Sequence, residues 1–92
     1  MTNAQINTKM EVIFFNNITG EHPDYCKDTI AVLALFAALA GDVEVKLQTT
    51  SKGWVATVMG DANDDFDYGT ARNAHPAKAM CLALLKSIGE IK

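Results

Sequence analysis

Between Val43 and Gln48 the chain alternates strictly, with Val43, Val45 and Leu47 apolar and Glu44, Lys46 and Gln48 polar. A period of two sends successive side chains to opposite faces, so this is a strand with one buried and one solvated face. Trp54–Met59 follows with apolar residues on both faces: Trp54, Ala56 and Val58 on one, Val55 and Met59 on the other, together with Thr57. That composition predicts the more central strand. Ser51-Lys52-Gly53 between the two is a short hairpin connection. Gly60-Asp61-Ala62-Asn63-Asp64-Asp65 is turn chemistry, and Phe66, Tyr68 and Thr70 then alternate along a third strand that returns antiparallel to the second. The predicted strands cover about 42–50, 54–60 and 65–71.

The period changes elsewhere. Ala77, Met80, Cys81, Leu84, Leu85 and Ile88 recur at helical spacing behind Pro76, with His75 or Ala74 as a poor cap and Gly89 as the stop, predicting a helix over about 76–88. Pro23 precedes a run from Asp24 to Ala40 that ends at Gly41, predicting a helix over about 24–40, with Asp24 and Asp28 suited to its positive end. Cys26, Ile30, Leu33 and Ala37 form one stripe of it, and Val32, Phe36 and Leu39 another. A helix apolar nearly all round is buried on more than one side, so something besides the sheet must cover it. In the first twenty residues Ile6, Met10, Ile13 and Phe14 fit a helical face while Glu11–Phe15 has strand composition; the reading leans to helix. The expectation is an α+β fold: an antiparallel three-stranded sheet packed with two main helices, one domain over 1–92, with segment 1–20 packing on the first long helix. Trp54, Leu33, Phe36 and Leu84 are expected core.

Three stretches carry a resemblance. Pro23-Asp24-Tyr25-Cys26-Lys27-Asp28 is similar to a P-x-Y-S-x-D-I pattern, Gly53-Trp54-Val55-Ala56 resembles a tryptophan strand, and Thr70 to Leu85 looks like a closing A-x-A-x-T-A-P-x-A-I-C helix entry. Together they resemble small phage and prophage proteins with an ABA sandwich domain, over roughly Pro23 to Ile88. The resemblance implies a helix, an antiparallel three-stranded sheet, a helix, and a phage origin; it implies no activity and transfers no functional residue. Cys26 stands where those proteins usually carry a capping serine. The charged positions in Glu44–Gln48 read as an open sheet face rather than one under a second helical layer.

Composition narrows the function. Of 92 residues 49% are hydrophobic, which suits a packed core. Eleven acidic against eight basic residues give a net charge of −3, and the basic residues are scattered singly, so no stripe suited to duplex DNA is present. The longest uncharged apolar run, Ile30–Ala40, is about half of a membrane span, and the first residues show no signal-peptide pattern. Two cysteines make no disulfide framework, and the host cytoplasm is the expected compartment.

Candidate chemistry is sparse. His22/Cys26 and His75/Cys81 suggest a zinc set, but without metal-ligand spacing, and both cysteines fall on apolar stripes. Asp61, Asn63, Asp65 and Asp67 begin like a calcium loop, yet Phe66 stands where glycine is needed and Arg72 where the bidentate glutamate belongs. Ser51 and Ser87 lack a nucleophile context, and no nucleotide motif occurs. No catalytic residue, metal or cofactor is therefore assigned, and a non-enzyme is expected.

The remaining candidate is the acidic turn. Asp61, Asp64, Asp65 and Asp67 with Phe66 form either a solvated hairpin end or a negative ridge that mates with a basic groove. The leading expectation is a phage-encoded protein that binds and blocks a host protein or ribonucleoprotein complex, a counter-defence inhibitor of anti-CRISPR type. A small-ligand or nucleotide sequestering oligomer, with the apolar helix as a homodimer seam, is the alternative; a phage structural accessory is the third. Neither duplex DNA nor a membrane is an expected partner.

Overall fold

A computed structural model describes residues 2–15, 24–38, 43–60 and 68–91. The chain is an α+β fold in the order α1 (Asn3–Met10), a π-helical turn (Glu11–Phe15), α2 (Thr29–Ala38), β1 (Val43–Thr50), β2 (Gly53–Gly60), β3 (Tyr68–Asn73) and α3 (Pro76–Ser87).

The sheet is antiparallel in the order β1-β2-β3, so the doubly apolar strand is the central one, as its composition requires. Register is continuous on both sides: Leu47 lies opposite Ala56 and Val45 opposite Val58, while Ala71 and Gly69 take the same positions on β3. Ala56, Val58, Gly69 and Ala71 are buried beneath α3. These small side chains let the helix backbone approach the sheet closely. The opposite face carries Glu44, Lys46 and Gln48 from β1, Val55, Thr57 and Met59 from β2, and Tyr68, Thr70 and Arg72 from β3. The described residues thus form two layers, and the third layer that the resemblance implies is not found among them.

α3 holds the core together. Ala77, Met80, Cys81, Leu84 and Leu85 are fully buried, with Ile88 half-buried against them. Its entry corrects the expectation of a poor cap: the His75 ring nitrogen Nδ1 accepts from the Ala77 N–H at 3.3 Å, a capping role usually taken by Ser, Thr, Asp or Asn. Its exit is a Schellman turn. The Glu90 N–H reaches the Leu85 carbonyl at 3.0 Å and the Gly89 N–H the Lys86 carbonyl at 3.1 Å, with Gly89 at φ +79°.

Two further expectations are corrected, the start of the first long helix and the burial of Leu33. The first long helix begins at Thr29, not Asp24, because Asp28 acts as its cap: Oδ1 accepts from the Ala31 N–H at 3.1 Å. Asp24 to Asp28 form a separate turn instead, closed by Asp28 N–H to the Asp24 carbonyl at 2.8 Å. The N-terminal segment is helical over Asn3–Met10, with a Thr2–Gln5 capping box; α1 contacts α3, and its Asn7 bonds Asp24 and Cys26. Leu33 is not core: it is 48% exposed. Phe36 and Leu84 are buried as expected, and Trp54 is half-buried against the core, near the hairpin end of the sheet.

Candidate functional site

The predicted acidic ridge (Asp61, Asp64, Asp65, Phe66, Asp67) and His22 lie outside the described residues. The other chemical candidates are separated by their roles. His75 is a helix cap, while Cys26 and Cys81 are buried free thiols. Among the described residues no three His, Cys, Asp or Glu side chains come together as a metal site, and no helix is long and apolar enough to cross a membrane.

A different surface stands out, on α2. Val32, Leu35 and Phe36 turn one flank inward, against a neighbourhood that includes α3 and β1. The other flank presents Ile30, Leu33, Ala34, Ala37 and Ala38, all exposed, with Ile30 at 80%. These positions follow i, i+3, i+4, i+7 and i+8, a continuous apolar stripe without one charge. Single exposed leucines need no explanation; a whole apolar helix face does. The expectation that this helix is buried on more than one side is therefore corrected: among the described residues it is covered on one side only. The sequence carried the signal, since an all-apolar helix has more hydrophobic surface than one sheet face can hide. Which stripe stays open was not readable, because both are equally apolar.

The orientation of α2 is set by buried polar contacts at its entry. Asn7 of α1 grips the Asp24–Asp28 turn twice: its amide Nδ2 donates to Asp24 Oδ1 at 2.8 Å, and its Oδ1 accepts from the Cys26 N–H at 3.2 Å. The Tyr25 hydroxyl donates to the buried Glu11 carboxylate at the start of the π-helical turn. The Cys81 thiol donates to the Tyr25 carbonyl at 3.5 Å. No buried side-chain N or O among the described residues lacks a partner, so this entry is satisfied polar chemistry rather than a vacant site.

Burial, above all, pushes Cys81 far above its ordinary thiol range, with the Cys26 and Asp24 charges adding to it. Burial likewise raises Tyr25, reinforced by its bond to Glu11, and raises Cys26. The folded state holds all three protonated, which makes Cys81 a poor nucleophile. The consequence for stability has a definite sign. Above the ordinary thiol value of 9.0 the unfolded chain releases protons that the folded chain keeps, so stability is complete below that pH and falls above it. The expected slope is up to about 1.4 kcal/mol per pH unit for a fully buried thiol. Denaturant midpoints either side of this pH should show the fall, and Cys81→Ala should reduce its slope.

At the β3 edge, between the sheet and α3, Val55, Thr70, Ala71, Arg72 and Lys86 line a shallow depression. Its Lys86 ammonium is already engaged, donating to the Thr70 carbonyl at 3.1 Å.

Comparison with known proteins adds the fold alone. The chain matches no protein-family profile and no curated protein sequence. It is similar in structure to a phage protein from Bacillus cereus ATCC 14579, solved by crystallography at 2.0 Å. The TM-score is 0.71 over 100% of this chain and 91% of that one, at 16% sequence identity. Agreement of this extent at so low an identity establishes a shared architecture.

Proposed function

We propose that this chain is a non-enzymatic, phage-encoded protein that binds and blocks a host macromolecular complex, as a counter-defence inhibitor of anti-CRISPR type acting in the host cytoplasm. The observation that carries this reading is the open apolar face of α2. A helix presenting Ile30, Leu33, Ala34 and Ala37 at i, i+3, i+4 and i+7 has the form of a helix that lies in a hydrophobic groove of another protein. Ile30 and Leu33 are the bulky anchors, and the alanines beyond them allow close approach. The buried grip of Asn7 and Tyr25 on the turn before α2 holds the face in place before any partner arrives, so little ordering entropy opposes binding there.

Two further observations support it. The chemical groups that catalysis would draw on are committed elsewhere: His75 to capping α3, and the Cys81 thiol to a buried bond in which it stays protonated. The shared architecture with a phage protein supports the phage origin, as an analogy of fold. The acidic run from Asp61 to Asp67 would add charge steering toward a basic surface of the same target. The test is affinity capture from a host lysate, with Leu33→Asp as the control. A stoichiometric host complex is expected on the wild-type protein and its loss on the variant.

A further inference from the structure

β1 is an edge strand of eight residues, and no strand among the described residues pairs with its outer side. The direction of its backbone groups can be derived. On β3 the Thr70 carbonyl accepts from Lys86, so it turns off the sheet edge and away from β2. Thr70 lies opposite Thr57, and in an antiparallel ladder the bonding direction alternates, so Thr57 bonds toward β1 and its partner there, Lys46. The two-residue turn Ser51-Lys52 gives the same phase, since the flanking pair Thr50/Gly53 of such a hairpin is hydrogen-bonded. Glu44, Lys46 and Gln48 therefore bond inward to β2. Val43, Val45 and Leu47 direct their N–H and C=O groups off the free edge.

The two edges of the sheet are treated differently. β3 lies under α3 and has an edge carbonyl capped by Lys86. β1 carries no proline and no break in register, and Leu47 on it is 37% exposed. Its exposed charges, Glu44 and Lys46, guard it against strands that do not match them, so it is a template only for a strand that sets opposite charges against them.

We infer that this edge pairs with the β1 edge of a second copy of the chain, antiparallel, about a two-fold axis at Val45. The sequence Val43-Glu44-Val45-Lys46-Leu47 is complementary to itself in that register. Val45 meets Val45 of the second copy and Val43 meets its Leu47, and each of these pairs exchanges both backbone bonds, because these residues are the ones that point outward. Glu44 falls opposite Lys46 of the second copy, and Lys46 opposite its Glu44. Both of these are non-hydrogen-bonded pairs, where facing side chains lie closest and opposite charges stabilise. The exposed Leu47 gains apolar cover, and two three-stranded sheets become one of six. A different protein would need the same alternating charges by coincidence; a second copy has them by symmetry. The pairing residues, Val43 to Leu47, all lie on β1 and none on α2.

Charge exchange tests it without touching the core, since Glu44 and Lys46 are both exposed. Sedimentation velocity over a concentration series should show wild-type self-association. Glu44→Lys alone and Lys46→Glu alone place like charges opposite each other twice, and each should weaken the dimer by about tenfold or more. The double variant Glu44→Lys/Lys46→Glu restores both pairs and should restore the dimer. An equimolar mixture of the two single variants should form a heterodimer, a result that unfolded protein would not give. A wild-type chain that stays monomeric throughout overturns the inference. So do single variants that associate as the wild type does, or a double variant and a mixture that both remain monomeric.

Discussion

Gly69→Ala is expected to cost about 3 kcal/mol or more, the upper range for forcing an atom into a packed interior. A Cβ at this position would lie 2.6 Å from the Ser87 backbone nitrogen and nearer still to the Ala83 carbonyl oxygen. Both obstacles are backbone atoms of α3, so no side-chain rotation relieves the contact; the helix itself must lift from the sheet. Among the described residues α3 supplies more of the largest fully buried side chains than any other element: Met80, Cys81, Leu84 and Leu85. A domain of this size is stable by roughly 5–14 kcal/mol, so the loss is a large part of the whole. Thermal unfolding should register it as a fall in Tm of about 12 °C or more. A change within 1–2 °C would mean that β3 and α3 are not seated as described.

The second large effect separates two leucines that look alike in the sequence. Leu84 is fully buried on α3, and Leu84→Ala should destabilise the fold by about 2–5 kcal/mol through lost burial and the cavity left behind. Leu33 is half-exposed on the open flank of α2, and Leu33→Ala should fall within about 1 kcal/mol. Chemical denaturation of the pair measures the difference directly. Equal losses would place Leu33 in the core and remove the open helix face.

Much of the architecture was legible because period and punctuation agreed. The alternation of Val43–Gln48, the two apolar faces of Trp54–Met59 and the Pro76-to-Gly89 helix each lead to the observed element. The central position of β2 follows from its apolar faces alone. The entry to α2 is not legible in the sequence, because Pro23 and two aspartates form a valid helix start in local chemistry. The Asn7 side chain, 17 residues upstream of Asp24, holds that stretch as a turn and leaves Asp28 to cap the helix. His75 reads as a poor cap in the sequence because an imidazole accepts through Nδ1 only in one ring orientation, which tertiary packing decides. The open flank of α2 was half legible. The excess of apolar surface was visible, but the choice between two equivalent stripes is made by where α3 and β1 lie. The acidic ridge at Asp61–Asp67, the site favoured by composition, falls outside the described residues.

The central claim is that the apolar face of α2 is a binding surface for a host complex, and one measurement addresses it most directly. Tagged wild-type protein and a Leu33→Asp variant, shown by circular dichroism to be equally folded, are each used for affinity capture from a lysate of a bacterium with intact defence systems. The captured material is identified by mass spectrometry and checked for nucleic acid. The account predicts a stoichiometric multi-subunit host complex on the wild-type protein and its loss on the variant. The same complex held equally by both proteins, or none held by the wild type, would contradict it.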